Sequence, residues 1–151
     1  MSGRTPNAAP SRVLLVEDNT LIALDTEESL YDLGVAWVDV AGSSDHALAL
    51  IEAEPPECAL LDFNLGAETS EPVAHALSER GIPFAFATGY SELAAIAGPV
   101  RQAVAIIHKP YTRDELAAAL RACGRRLRRY LGRAIRQRPP GSKVTSPIPA
   151  A

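Results

Sequence analysis

Five short apolar runs punctuate the chain, at 12–16, 36–40, 58–61, 83–87 and 104–107, and each stops at a polar or turn-forming residue. Runs of this length, rich in Val, Leu, Ile, Phe and Ala and without alternation, predict strands buried on both faces. Longer stretches between them carry helical signals. Asn19 or Thr20 can cap a helix to about Leu33, with Ile22, Leu30 and Leu33 on its buried side and Gly34 at its C-terminal end. Ser43 or Ser44 can cap a helix carrying Ala47, Leu48, Leu50 and Ile51, which Pro55-Pro56 must end. A helix near 70–80 accepts Pro72 in its first turn and closes at Gly81. The segment 91–102 is interrupted by Gly98-Pro99 and supports a short helix at most. Thr112 caps the last helix, with Asp114 and Glu115 in its first turn and arginines toward its far end, as the helix dipole favours. Five strand–helix repeats predict an α/β domain with one parallel sheet covered by helices on both faces.

The 151 residues suffice for one domain with a core, and 47% hydrophobic against 22% charged residues excludes a disordered chain. Residues 1–10 read as a flexible leader, and 139–151 as a disordered tail. No apolar run reaches the ~18 residues of a membrane span, and the leader lacks a signal peptide's apolar stretch, so a cytoplasmic location is expected. Cys58 and Cys123 are far apart and lack metal-ligand spacing; they read as packing residues rather than a disulfide.

Net charge divides the chain. Residues 1–111 hold 5 Lys+Arg against 16 Asp+Glu, a net −11, whereas 112–151 hold 10 against 2, a net +8. The two parts therefore face different partners.

The chemistry lies at the strand ends. The first run ends in Glu17-Asp18, the third in Asp62-Phe63-Asn64-Leu65-Gly66, the fourth in Thr88-Gly89 and the fifth in His108-Lys109-Pro110. In a parallel sheet these ends share the edge where open α/β folds bind ligands, so three carboxylates, a hydroxyl and an ammonium would converge there. Taken singly, each also reads as a cap, a turn or an exposed charge. His46, His75 and His108 show no ligand spacing and receive no chemistry.

Glu17-Asp18, Asp62, Thr88 and Lys109-Pro110, in this order on these strands, resemble the bacterial response-regulator receiver domain over roughly residues 11–123. The phrase Pro83-Phe84-Ala85-Phe86-Ala87-Thr88-Gly89-Tyr90, with Asn64-Leu65-Gly66, is similar to a narrower group nicknamed FATGUY, often stand-alone and associated with stress-signalling kinases. The resemblance implies a flavodoxin-like, doubly wound five-stranded sheet of order 2-1-3-4-5. It implies a phosphoprotein of a two-component system or phosphorelay, a phosphoryl acceptor that catalyses only its own phosphorylation and dephosphorylation. Asp62 would take the phosphoryl group from a histidine kinase or phosphotransfer protein. Mg²⁺ would be held by Glu17, Asp18, Asp62 and the backbone carbonyl of Asn64, hard oxygen donors of the kind it prefers. Thr88 and Lys109 would bind phosphoryl oxygens, and Pro110 would follow a cis peptide that aims the lysine. One departure concerns the switch: the family's aromatic, three residues before the lysine, is Ile106 here, and Tyr90 is the residue placed to cover the site instead.

Two other classes compete. A haloacid-dehalogenase-type phosphatase also carries an aspartate after a strand but needs a second acid two residues on, where this chain has Asn64. A phosphorylation-independent interaction module on the same scaffold would not need the acid pair, Thr88 and Lys109. No output domain is expected after residue 123. A basic helical extension over 124–138 is expected instead, because Leu116, Leu120, Cys123, Leu127, Tyr130 and Ala134 continue one apolar seam among seven arginines. That seam suggests self-association or docking through the C-terminal helix; the charge alone would also suit nucleic acid or an anionic membrane.

Overall fold

A computed structural model describes residues 9–89 and 102–136 of the chain. Strands β1 (Arg12–Val16), β2 (Trp37–Ala41), β3 (Cys58–Asp62), β4 (Phe84–Thr88) and β5 (Ala105–His108) form one parallel sheet of order β2-β1-β3-β4-β5. Helices α1 (Thr20–Asp32), α2 (Ser44–Ala53), α3 (Glu71–Glu79) and α4 (Arg113–Arg136) cover it. This is the flavodoxin-like order expected from the resemblance. Three strands lie one residue later than the apolar runs suggested, which makes Thr88 the last residue of β4 and His108 the last of β5.

Because successive strand residues point to opposite faces, each continuous apolar run feeds two cores. Leu14, Val16, Leu61, Phe84 and Phe86 pack with Ala47 and Ile51 of α2 and Val73 and Leu77 of α3. Val13, Leu15, Leu60, Ala85 and Ala87 pack on the other face with Leu30 of α1 and Leu116 and Leu120 of α4. β4 therefore presents phenylalanines to one face and alanines to the other, and the small side leaves room for α4 to lie close. Phe86 meets Phe84 and Phe63 edge to face at centroid distances of 5.5 and 5.9 Å.

The helix caps follow the sequence. Asn19 Oδ1 accepts from Ile22 N and Ser43 Oγ from His46 N, while Gly34 and Gly81 take the positive φ of a helix exit. Thr112 and Glu115 form a reciprocal capping box, each backbone N–H donating to the other's side chain at 2.9 and 3.1 Å.

Several expectations are corrected. Ile22 is exposed, and α1 buries Ala23, Thr26 and Leu30 instead, because small side chains let the helix approach the sheet while Leu21, Ile22 and Leu24 face out. Pro10 is buried and Ala9 packs beside Gly34, so packing on the domain begins before residue 11. At the other end, Leu127 is only 6% exposed, so packing also runs beyond residue 123. The seam Leu116–Leu120–Cys123–Leu127 is spent on the chain's own core, and that much of it is not available to a partner helix. Cys58 and Cys123 are also not merely packing residues. They are joined as a disulfide with Cα atoms 6.0 Å apart, which pins α4 to the start of β3. The short helix expected in 91–102, apart from Gln102, and the tail 139–151 lie outside the described residues.

Candidate functional site

The C-terminal strand ends bring Glu17, Asp18, Asp62, Thr88 and Lys109 to one edge of the sheet. Backbone hydrogen bonds set the positions: Glu17 N donates to Ala41 O, Phe63 N to Ala87 O and Lys109 N to Thr88 O, extending the ladders just past the strands. The Lys109–Pro110 peptide is cis. Lys109 Nζ stands 3.0 Å from Glu17 Oε1 and 3.0 Å from Asp62 Oδ2, bridging two carboxylates that are both nearly buried. Glu17 Oε2 also accepts from Asn19 N at 3.1 Å.

Glu17, Asp18 and Asp62 each offer a carboxylate oxygen, all within 4.8 Å of one another. Asp18 is the exposed member, open to solvent at the mouth. Three hard oxygen donors at this spacing, one side open for water, fit a magnesium-sized cation. Below them the loop after β3 is fixed by its apolar residues: Phe63 and Leu65 are buried, Ser70 N donates to Phe63 O, and Ser44 Oγ donates to Thr69 O. Asn64 Oδ1 accepts from Gly66 N at 3.1 Å, a local turn that ties the Asn64 side chain into the loop. Gly66 has φ +84°, and a Cβ there would lie 3.7 Å from Asp18 Oδ2, so the backbone passes close to the acidic cluster where only glycine is unstrained.

Burial raises the Asp62 carboxyl to about 7, and the Glu17 charge adds to the rise while Lys109 opposes it. Burial works to lower Lys109, but its hydrogen bonds and charge pairing with Asp62 and Glu17 outweigh that and raise it, so the ammonium stays protonated. The Thr88 side chain is fully buried and its hydroxyl donates to Gly89 O at 3.2 Å. Ile106 pairs with Phe86 on the edge strand and remains 36% exposed, with no ring at that position to rotate. Tyr90 lies outside the described residues.

The sequence reading missed Tyr111. Its hydroxyl sits 2.6 Å from Thr26 Oγ1, tying the segment after Lys109-Pro110 to the inner face of α1. Burial raises its pKa, with the Thr26 hydrogen bond opposing, so the phenol stays protonated. An aromatic directly after Lys-Pro is a visible signal; a partner 85 positions away is not.

The family model of the response regulator receiver domain matches residues 13–121. The chain belongs to that family. Phosphorylation-based signalling is the general function of receiver domains, and the family binds Mg²⁺ at an acidic site of this kind. Among curated proteins the receiver is similar to the transcriptional regulatory protein PdtaR of Mycobacterium tuberculosis, 31% identical over 140 residues. The match takes in 85% of this chain but 65% of PdtaR, so the chain spans just under two thirds of that relative. A CheY-like receiver domain from Methanospirillum hungatei JF-1 superposes with a TM-score of 0.70 at 27% identity, covering 80% of this chain and 98% of the other. The PhyR stress response regulator superposes with a TM-score of 0.66 at 25% identity, covering 78% of this chain and 46% of PhyR. Among the described residues no helix is long and apolar enough to cross a membrane.

Proposed function

We propose that this receiver accepts a phosphoryl group on Asp62 from a histidine kinase or phosphotransfer protein, in a reaction that requires Mg²⁺. The observation that carries the reading is the placement of Lys109 Nζ, 3.0 Å from both Asp62 and Glu17 at the mouth of the sheet. An ammonium already bonded to the nucleophile can move to a phosphoryl oxygen when the nucleophile is consumed, with little reorganisation. Asp62 Oδ attacks phosphorus of a phosphohistidine; the P–O bond forms, the P–N bond breaks, and the donor imidazole leaves with the electron pair and takes up a proton. Thr88, at the end of β4, donates its hydroxyl to a second phosphoryl oxygen. Glu17, Asp18, Asp62 and the Asn64 carbonyl would hold Mg²⁺, which would supply the positive charge that lets two anions approach. Tyr90 would obstruct water at the phosphorylated site, so Tyr90→Ala would shorten the lifetime of that state.

A protein donor is supported by the surface beside the site. Leu21, Ile22 and Leu24 are exposed on α1, next to a cavity of about 440 Å³ that Lys109, Pro110 and Tyr111 help to line. Exposed apolar side chains grouped beside a reactive centre suit a docked partner. The similarity to PhyR favours stress signalling as the setting. A haloacid-dehalogenase-type phosphatase is disfavoured by Asn64, an amide engaged in its own turn where that chemistry needs a carboxylic acid.

Intact-mass measurement tests the proposal. A small phospho-donor with Mg²⁺ should add one phosphoryl group to the wild type and none to Asp62→Asn. Undiminished loading of the variant, or loading that survives chelation, would overturn it. A wild type that takes up no phosphoryl group under these conditions would instead favour the phosphorylation-independent module.

A further inference from the structure

At the opposite edge of the sheet, a strand length from Asp62, a second concave site is built from entirely different chemistry. Its floor is Ile82, Pro83 and Phe84 at the start of β4, all buried, and its wall is the distal part of α4. Arg126, Arg129 and Arg133 line that wall, and the cavity measures about 520 Å³.

The spacing explains how three arginines line one space. Leu127 turns inward to the core, and positions 126, 129 and 133 are separated by three and four residues, so they fall on one side of the helix, flanking the buried seam. Their backbone positions rise over roughly 10 Å. No Asp or Glu lines the cavity, and among the described residues none of the three arginines pairs with a carboxylate. At the rim, Ser78 Oγ donates to Gln102 Oε1 at 2.6 Å, and the Gln102 amide also carries N–H donors that could serve a ligand. All three arginines keep solvent-exposed surface, as do Arg121 and Arg128, which lie outside the cavity.

Three like charges gathered over an apolar floor, without an internal counter-ion, are stabilised by a bound polyanion. Guanidinium forks match phosphate oxygens bidentately, and a cavity of this size holds a ligand of nucleotide dimensions. We propose that this cavity is a binding site for a small organic polyphosphate, its phosphates on Arg126, Arg129 and Arg133 and its less polar body over Pro83 and Phe84. A concave site with an apolar floor favours a small molecule over a nucleic-acid strand, which would track arginines along the helix.

The experiment is calorimetric titration of the full chain at physiological salt, with EDTA present so that the acidic edge cannot recruit phosphate through a metal. The probes are tripolyphosphate, ATP and adenosine, with a single-stranded oligonucleotide and an acidic peptide titrated alongside. Saturable one-to-one binding of ATP and tripolyphosphate, with ATP the tighter and adenosine inert, is expected. Arg129→Gln should weaken ATP on the order of tenfold, as loss of a charge-assisted contact does, while Arg121→Gln leaves it unchanged. Circular dichroism checks that each variant keeps its helix. Absence of saturable binding, or equal losses in Arg121→Gln and Arg129→Gln, overturns the site. So does binding confined to a single-stranded oligonucleotide or an acidic peptide that ATP does not displace, which would assign the arginines to a macromolecule.

Discussion

Tyr111 Oη and Thr26 Oγ1 share a hydrogen bond of 2.6 Å that joins the segment carrying Lys109 to the buried face of α1. Thr26 is 2% exposed, so its hydroxyl has no water to fall back on. Tyr111→Phe should therefore cost ~1–2 kcal/mol, the penalty of stranding a buried polar group. Adding Thr26→Val should cost less than the sum of the two single changes, because it removes the stranded partner. Urea unfolding of the four proteins measures the cycle; strict additivity would mean that the hydrogen bond contributes no coupling.

The acceptor aspartate makes stability depend on pH in an unusual direction. Asp62 titrates near 3.8 when unfolded and near 7 when folded, chiefly because it is buried. Between these values the folded state binds more protons than the unfolded one, so the metal-free protein loses this contribution as pH rises from about 4 to 7. Asp62→Asn carries no such penalty. Its melting temperature in EDTA should exceed that of the wild type most clearly at pH 8, with the gap closing toward pH 4. Mg²⁺ should counter the effect, binding more tightly to the wild type at pH 8 than at pH 6 because it competes with the Asp62 proton. A wild type that is the more stable protein at pH 8 without metal would contradict the raised acid.

The disulfide between Cys58 and Cys123 closes 65 residues of sequence, enough in the chain-entropy picture for roughly 4 kcal/mol. Non-reducing mass analysis should find the pair oxidised. Reduction, or Cys123→Ser, should lower the unfolding midpoint. Equal midpoints with and without reductant would show that packing alone holds α4 on β3.

The distal helix is also part of the domain's stability. Leu127→Ala should cost ~2–4 kcal/mol, as for other buried leucines. Truncation after Cys123 should destabilise at least as much, removing that side chain together with the last turns of α4. If the truncated protein unfolds at the same urea concentration as the full chain, Leu127 contributes no net packing.

The sheet, the caps and the candidate site residues were legible from residue order alone, because these rest on local rules. Unbroken apolar runs mean strands buried twice over; Asn19, Ser43 and Thr112 cap the turns that follow them; and Glu17, Asp18, Asp62, Thr88 and Lys109 stand where parallel strands end. What depends on distance across the chain emerged only in the fold. Residue size hid the inner face of α1, where Ala23 and Thr26 are buried and Ile22 is not, since close helix-to-sheet approach favours small side chains over apolar bulk. The Thr26–Tyr111 bond and the Cys58–Cys123 pair join residues 85 and 65 positions apart, which no local periodicity encodes. The same holds for the seam of α4: a stripe of apolar positions states that something covers it, and only the fold reveals that through Leu127 the cover is the domain itself, which turns Arg126, Arg129 and Arg133 toward the edge of β4.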